Sequence, residues 1–403
     1  WYIYIITVFT KEGTHMKKAV MYGAGNIGRG FIGKVFSDSG YDVCFLDIMP
    51  NVIEEINSRH EYPVRIVTNI ETHDDIVKNV RAVFAGSSDA IDEIASCDIM
   101  ATAVGVNVLP KIAPVIAKGI IERMKTGRPL DIILCENQLE ADILMRGWIN
   151  EHLNDSQREW AQKNIGLVEA SIGRMVPVMT FQQKAENPLL VYVEPYAELP
   201  VDSSAFRGEL PCDLVGLLPY SPFGLYIRRK LFIHNMGNAI CAYMGAEKGY
   251  YYVWQAAEDR EICCAAREAM MASANALARE YGDEFMILLE EHVDDLLFRF
   301  KNRELGDTID RVGRDPVRKL RRNDRFVGAA LYCMDQGISP SPIIDGIRSA
   351  LRYNNKEDVS ALELQADLKE KGLTYVMKNY MGIDIKEPLF ERLQDQIGDD
   401  FKK

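Results

Sequence analysis

Two spacings are missing from this sequence. None of the eight cysteines (44, 97, 135, 212, 241, 263, 264 and 333) forms a C-x-x-C pair, and none of the six histidines recurs at H-x-x-x-H spacing. The first absence excludes a zinc ribbon or a disulfide framework and suits a reducing cytoplasm; together they leave no metal site to propose. A basic excess is also missing. With 47 Lys+Arg against 59 Asp+Glu the net charge is −12, which argues against non-specific binding to nucleic acid or anionic membrane. Long apolar runs are absent too. Trp1 to Thr10 is apolar but too short to span a bilayer, with no basic region before it and no small-residue cleavage site after it. Residues 1–15 therefore read as an extension without functional content, with Met16-Lys17-Lys18 as the natural start; an extra edge strand is the competing reading. There is no internal repeat or low-complexity tract.

What is present is organised around Ala19-Val20-Met21-Tyr22-Gly23-Ala24-Gly25-Asn26-Ile27-Gly28. A short apolar run feeds into Gly-x-Gly-x-x-Gly, and Phe31, Ile32, Val35 and Phe36 follow at helical spacing. Gly23 permits a tight turn, Gly25 admits a pyrophosphate close to the backbone, and Gly28 lets helix and strand approach. The helix N-terminus, from Asn26 and Ile27 onward, offers N–H groups to phosphates. Asp42 to Asp47 reads as the next strand, ending in an acid about 20 residues beyond the last glycine, where a carboxylate holds a ribose diol. It would repel a 2′-phosphate, so the expected cofactor is NAD rather than NADP.

At 403 residues the chain has room for two or three domains. Helical patterns at Val52–Arg59, Ala90–Ala95 and Val108–Met124 alternate with strand patterns at 64–67, 80–84, 98–105 and 130–135. The expectation is an α/β, Rossmann-type doubly wound domain. Ligands sit beyond the carboxyl ends of such strands, so Thr102, Val104 and Gly105 should border the cofactor and Glu136-Asn137-Gln138 should face the crevice. Asn137 could equally cap a following helix. From Gly166 to Pro200 the pattern turns to β. Beyond about residue 205 it is mostly helical: Tyr226–Met244, Glu258–Tyr281, Glu284–Asn302, Asn323–Gln336, Pro342–Arg352 and Ala361–Met377. The expected division is residues 16–205 for the nucleotide-binding domain and 206–403 for a mostly α-helical C-terminal domain.

Two stretches of that second domain carry chemistry. At about 100° per residue, Lys230, His234, Asn235 and Asn238 share one side of a helix, among Leu231, Phe232, Ile233 and Met236. A polar stripe is ordinarily solvated. A lysine desolvated among apolar neighbours, however, can lose its proton near neutrality and act as a general base, and asparagine amides suit an alkoxide. Arg311 to Arg325 holds seven basic and two acidic residues, suggesting an anionic ligand if it is not a helix face paired to acids elsewhere. His292, between Glu290-Glu291 and Asp294-Asp295, reads as part of a solvated helix face. Tyr226-x-x-x-Lys230 has short-chain-dehydrogenase spacing, but the glycine pattern is wrong for that class and the pair lies far from the glycine turn.

Taken in order, these motifs resemble the polyol-specific long-chain mannitol dehydrogenase family. The resemblance runs from Met16 nearly to the C-terminus and rests on Gly23–Gly33, Thr102–Gly105, Cys135-Glu136-Asn137, Phe206–Pro211, Arg229–Phe232 and Arg311–Leu320. It implies a Rossmann-type domain followed by a helical domain with the site between them, and metal-independent hydride transfer to NAD. It places the general base on Lys230, the oxyanion-holding amides on Asn137 and Asn235, and substrate binding on Arg311 and Lys319. The length from Met16 matches the family's phosphate-substrate branch, implying interconversion of mannitol 1-phosphate and fructose 6-phosphate by a monomer or weak oligomer. Alternatives are a dehydrogenase for an unphosphorylated polyol or for a sugar acid of the tagaturonate or fructuronate type, and a non-catalytic NAD(H) sensor. Two positions depart from the family pattern. A family aspartate is Gly173 here, in Gly173-Arg174-Met175-Val176-Pro177, and a family histidine is Asn238. His234, one turn from both Lys230 and Asn238, is expected either to bond the substrate oxygen in place of that histidine, directly or through Asn238, or merely to pack.

Overall fold

The computed structural model describes residues 16–138, 140–177, 179, 183, 185 and 187–401; the extension of residues 1–15 lies outside them. Eleven strands are present among these residues: β1 Lys18–Tyr22, β2 Asp42–Asp47, β3 Glu61–Val67, β4 Thr72–Lys78, β5 Val80–Phe84, β6 Ile99–Thr102, β7 Leu130–Leu134, β8 Ile165–Glu169, β9 Val191–Val193, β10 Leu199–Asp202 and β11 Leu217–Tyr220. Six form one parallel sheet in the order β5-β2-β1-β6-β7-β8. Counting only those six along the chain, the order is 3-2-1-4-5-6, the arrangement of a dinucleotide-binding fold. The middles of its central strands are mostly apolar because both faces are covered, with charged residues such as Lys18, Asp42 and Asp47 at strand ends. Ala19 and Met21 of β1 point into one core and Val20 and Tyr22 into the other, as a pleat of period two demands.

A smaller sheet, β4-β3-β9, buttresses the glycine turn. A Cβ added at Gly30 would lie 2.8 Å from the Val191 side chain and 3.0 Å from that of Val193, so β9 rests on the backbone of the first helix. The strand Thr72–Lys78 was not expected from the sequence. Only Val77 in it is buried, and its polar side chains carry little alternation, yet it pairs along the whole of β3.

The first domain extends further than expected. Leu217–Tyr220 pairs in parallel with Leu199–Asp202, Lys17 forms a salt bridge to Asp213, and Val215 N–H donates to Ser39 Oγ. Residues 206–220, assigned above to the second domain, are thus held by the first. Buried Asp131 on β7 fixes the start of this segment by accepting from the backbone N–H groups of Arg207 and Gly208.

From Gly224 the described chain is helical, with a third core built of alanine-rich and leucine-rich helices such as Arg260–Tyr281 and Ser341–Arg352. One unexpected helix, Pro388–Ile397, packs Leu389, Leu393 and Ile397 into this core. Hydrogen bonds between described residues tie the domains together. Asn302 Nδ2 donates to Val67 O and Asn69 Nδ2 to Lys301 O, linking the β3–β4 turn to the end of the Met286–Arg299 helix. Beside them Arg299 donates to both oxygens of Glu194, at 2.8 and 2.6 Å, and to Gly173 O at 2.6 Å, and its guanidinium stacks on Tyr196. Both members of the pair are buried.

Removing one partner of such a pair strands a desolvated charge at a cost of roughly 3–5 kcal/mol, whereas replacing both by apolar groups costs less. Arg299→Leu should therefore destabilise by about that amount in urea titration. The double variant Glu194→Leu/Arg299→Leu should be more stable than Arg299→Leu alone.

Candidate functional site

The glycine turn has the geometry of a phosphate cradle. Gly23 has φ +101°, and a Cβ there would lie 2.7 Å from Ala103 O; a Cβ at Gly28 would lie 1.9 Å from Gly23 O. Gly25, in contrast, is exposed with nothing within 4 Å of a built Cβ. Two glycines are thus demanded by packing, and the middle one leaves open space where a pyrophosphate would lie. Asn26 Nδ2 donates to Pro177 O and Tyr62 OH to Arg29 O, which hold the turn and its helix in place. The helix opens with a wide π-type turn, Gly28–Ile32, before becoming α-helical.

Asp47 closes β2 beside this turn. Its Oδ2 accepts from Ala24 N–H at 2.6 Å, and its Oδ1 accepts from Ile48 and Met49 N–H at 2.8 and 2.9 Å. Three backbone donors fix the carboxylate while its remaining lone pairs stay available to a diol.

At the carboxyl ends of β6 and β7 the organiser is Glu136, one of the three polar residues expected to face the crevice, to which no separate role attaches in the sequence. Its carboxylate accepts from Thr102 Oγ1 at 2.7 Å and from Val104 N–H at 2.9 Å, and burial raises its pKa. Thr102, expected to border the cofactor, is fully buried and braces Glu136. Val104 and Gly105, the latter with φ +89°, line the strand end at the surface. Asn137 is exposed beside Glu136; among the described residues no hydrogen bond joins it to Lys230 or Asn235.

The helical domain contributes a lysine on an irregular helix. The rod is α-helical over Gly224–Arg229 and Met236–Glu247, but Lys230–Asn235 between them is π-helical. Regular 100° spacing therefore does not hold across the stripe. Lys230 and His234 nevertheless meet, with Nζ 3.4 Å from Nδ1. Burial, with Arg299 and Arg325 nearby, pushes the Lys230 amine down to about 7. Burial and the adjoining Lys230 and Arg299 push the His234 imidazole well below its ordinary range, so it is neutral. Among the described residues Asn235 Nδ2 is buried with no acceptor, an unmet donor of the kind that calls for a ligand oxygen. Asn238 lines a small cleft with Met175, Trp254, Phe300 and Asp307.

The basic segment is two short helices, Ile309–Gly313 and Pro316–Lys319, and not one helix face. Arg311 is half-exposed and donates to Asp307 Oδ1 at 2.6 Å. Lys319 is buried, its ammonium bonded to Arg314 O, and burial with Arg325 beside it lowers it to about 7. Arg325 thus acts electrostatically on both lysines. His292 does not belong to a solvated face as expected. It is half-buried, and burial together with the charges of Arg229, Arg299 and Lys230 holds it well below its ordinary pKa. Among the described residues no group of His, Cys, Asp and Glu could hold a metal ion, and no helix is long and apolar enough to cross a membrane.

Comparison with known proteins agrees with this layout. Residues 17–212 match the mannitol dehydrogenase Rossmann domain, and residues 224–397 match the mannitol dehydrogenase C-terminal domain. The chain is 39% identical over 380 residues to mannitol-1-phosphate 5-dehydrogenase of Brevibacillus brevis, covering 94% of this chain and 97% of that protein. Among solved structures, mannitol 2-dehydrogenase of Pseudomonas fluorescens, in ternary complex with NAD and D-mannitol, superposes with TM-score 0.72 at 14% identity, covering 96% of this chain and 92% of that one. Substrate-free D-sorbitol dehydrogenase superposes with TM-score 0.70 at 14% identity, covering 89% and 94%. At that identity these two likenesses speak for the fold.

An amine with a pKa of about 7 is reactive where ordinary lysines are protonated. Labelling with a small acylating reagent, read by peptide mass spectrometry, should modify Lys230 with a midpoint near pH 7, while exposed lysines respond only near pH 10.

Proposed function

The chain belongs to the mannitol dehydrogenase family, and we propose that it is an NAD-dependent oxidoreductase interconverting D-mannitol 1-phosphate and D-fructose 6-phosphate. The observation that carries this reading is the Lys230 amine, held near neutrality, on the same π-type turn as Asn235, whose Nδ2 has no partner among the described residues. The 39% identity to a mannitol-1-phosphate 5-dehydrogenase over nearly the whole of both chains supports the substrate.

The residues present fit the dinucleotide. The space at Gly25 and the amides of Asn26, Ile27 and Gly28 would hold the pyrophosphate, and Asp47 the adenosine ribose. Val104 and Gly105 would border the cofactor beyond β6. When bound, NAD supplies the hydride acceptor for the alcohol carbon. In its neutral form Lys230 takes the proton from the substrate hydroxyl as that carbon is oxidised, and returns it in the reductive direction. Asn235 Nδ2 donates to the same oxygen and stabilises its developing charge. Asn137, from the facing domain, provides a second amide. Arg311, half-exposed, would exchange part of its pairing with Asp307 for the substrate phosphate, with Lys319 and Arg325 adding positive potential behind it.

Four measurements test this. With NADH, fructose 6-phosphate should be reduced far faster than fructose, tagaturonate or fructuronate; preference for any of the last three would replace the substrate assignment. Lys230→Ala should lower kcat by about 10²–10⁴-fold while NADH still binds, because that is the usual worth of a general base. In the oxidative direction kcat/KM should rise with pH through about 7 as Lys230 loses its proton, and the reductive rate should fall over the same interval. Arg311→Ala should weaken use of fructose 6-phosphate by about 1.5–3 kcal/mol, read from kcat/KM.

A further inference from the structure

The His234 side chain has no place in the chemistry described so far, yet it lies within contact distance of the base. It is buried, its Nδ1 is 3.4 Å from Lys230 Nζ, and its ring packs against Phe300 with centroids 5.9 Å apart at 56°. Phe300 directly follows the helix Met286–Arg299, whose last residue is pinned by Glu194, so the imidazole is held from a rigid neighbour. The groups facing this pair are Arg229 on its own rod, His292 and Arg299 on the Met286–Arg299 helix, Arg325 after the basic segment, and Glu194 after β9. All but Glu194 disfavour a positive charge, so a second proton on the imidazole is excluded there. A neutral imidazole has one donor and one acceptor nitrogen. When the amine donates across this contact, Nδ1 is the acceptor and Nε2 carries the proton.

We propose that His234 is the positioning residue for the base, accepting one N–H of Lys230 at Nδ1 so that the amine lone pair is aimed at the substrate hydroxyl. This rests on Lys230 being the base. A free amine rotates about its terminal bond, and only one orientation presents the lone pair; donation to Nδ1 removes that freedom. When Lys230 takes up the hydroxyl proton the contact becomes a charge-assisted hydrogen bond and strengthens. It therefore favours the protonated product of the transfer over the neutral reactant, and partly opposes the desolvation that depresses the amine. His234 thus reaches the reaction through Lys230 and does not take over the sugar contact of the histidine replaced by Asn238.

The test compares His234→Leu, which keeps the pocket apolar, with His234→Gln, which restores an acceptor. In His234→Leu, kcat should fall about tenfold, the loss of one hydrogen bond of about 1.4 kcal/mol. The acid limb of the oxidative kcat/KM profile should move to lower pH by about one unit, with NADH affinity and KM for the sugar phosphate as in the parent. His234→Gln should recover most of both effects. A parent-like profile and kcat in His234→Leu, or a defect confined to KM for the sugar phosphate, overturns the proposal. Nitrogen NMR of histidine-labelled protein decides without turnover, and so covers a leucine variant that fails to fold. The His234 ring should be the Nε2–H form throughout the neutral range, and its Nδ1 resonance should shift when Lys230 is replaced by Met. A protonated Nδ1, or a resonance indifferent to Lys230→Met, overturns it. Near-parent turnover in Lys230→Ala would instead remove the general-base reading itself.

Discussion

The buried pair of Glu194 and Arg299 is the contact on which the site depends. Glu194 follows β9, the strand whose valines press on Gly30, so it is joined to the helix that opens the nucleotide cradle. It also accepts from Met175 N–H, while Arg299 holds the carbonyl of Gly173. On its other side Arg299 adds to the positive potential that depresses Lys230 and His234. One ion pair thus links cradle, crevice wall and base. The location also accounts for the departure at Gly173. A Cβ there would lie 2.9 Å from the Tyr196 ring, the same ring that stacks on Arg299, so the volume a larger side chain would use is filled by an aromatic from β9's end.

A second carboxylate organises the opposite wall. Glu136 ties β6 to β7 by holding Thr102 and Val104 from the adjacent strand, which sets where Asn137 emerges. Asp47 does the same for the glycine turn, gathering Ala24, Ile48 and Met49 around the end of β2. In each case a strand-end acid uses part of its accepting capacity to shape backbone. These carboxylates hold backbone N–H groups, which fix the main chain at the strand ends, alongside the side-chain contacts of Thr102 and the Glu194–Arg299 pair.

Local chemistry was legible in the sequence; long-range pairing was not. The glycine turn and the apolar cores of the parallel strands are legible because glycine conformation and burial on both faces act over a few residues, whereas the π-type turn at Lys230–Asn235 departs from the regular spacing read there. The partner of Arg299 lies 105 positions earlier, and nothing near either residue marks the other. Thr72–Lys78 forms a strand through pairing with β3, not through its own pattern. His292 reads as solvated because its sequence neighbours are acidic, whereas in the fold it is half-buried and its pKa is held down by burial and the charges of Arg229 and Arg299. Glu136 was overshadowed by Asn137, since an acid next to an amide gives no sign of which one faces inward.

The wide turn at Lys230–Asn235 has a consequence for how this chain can vary. A π-type turn carries one residue more than an α-helical turn, and here that residue lies between the base and the helix Met236–Glu247 that anchors the third core. Losing one residue from the turn would restore a regular helix and rotate everything after it by about 100° relative to Lys230. Gly237 would then no longer face Met270, whose sulfur already lies 2.3 Å from where a Cβ would be. Exchanges of side chain within the segment are a matter of degree, but its length is not free to drift. Related chains that share this core would have to keep the same count of residues between lysine and glycine, even where the letters between them differ.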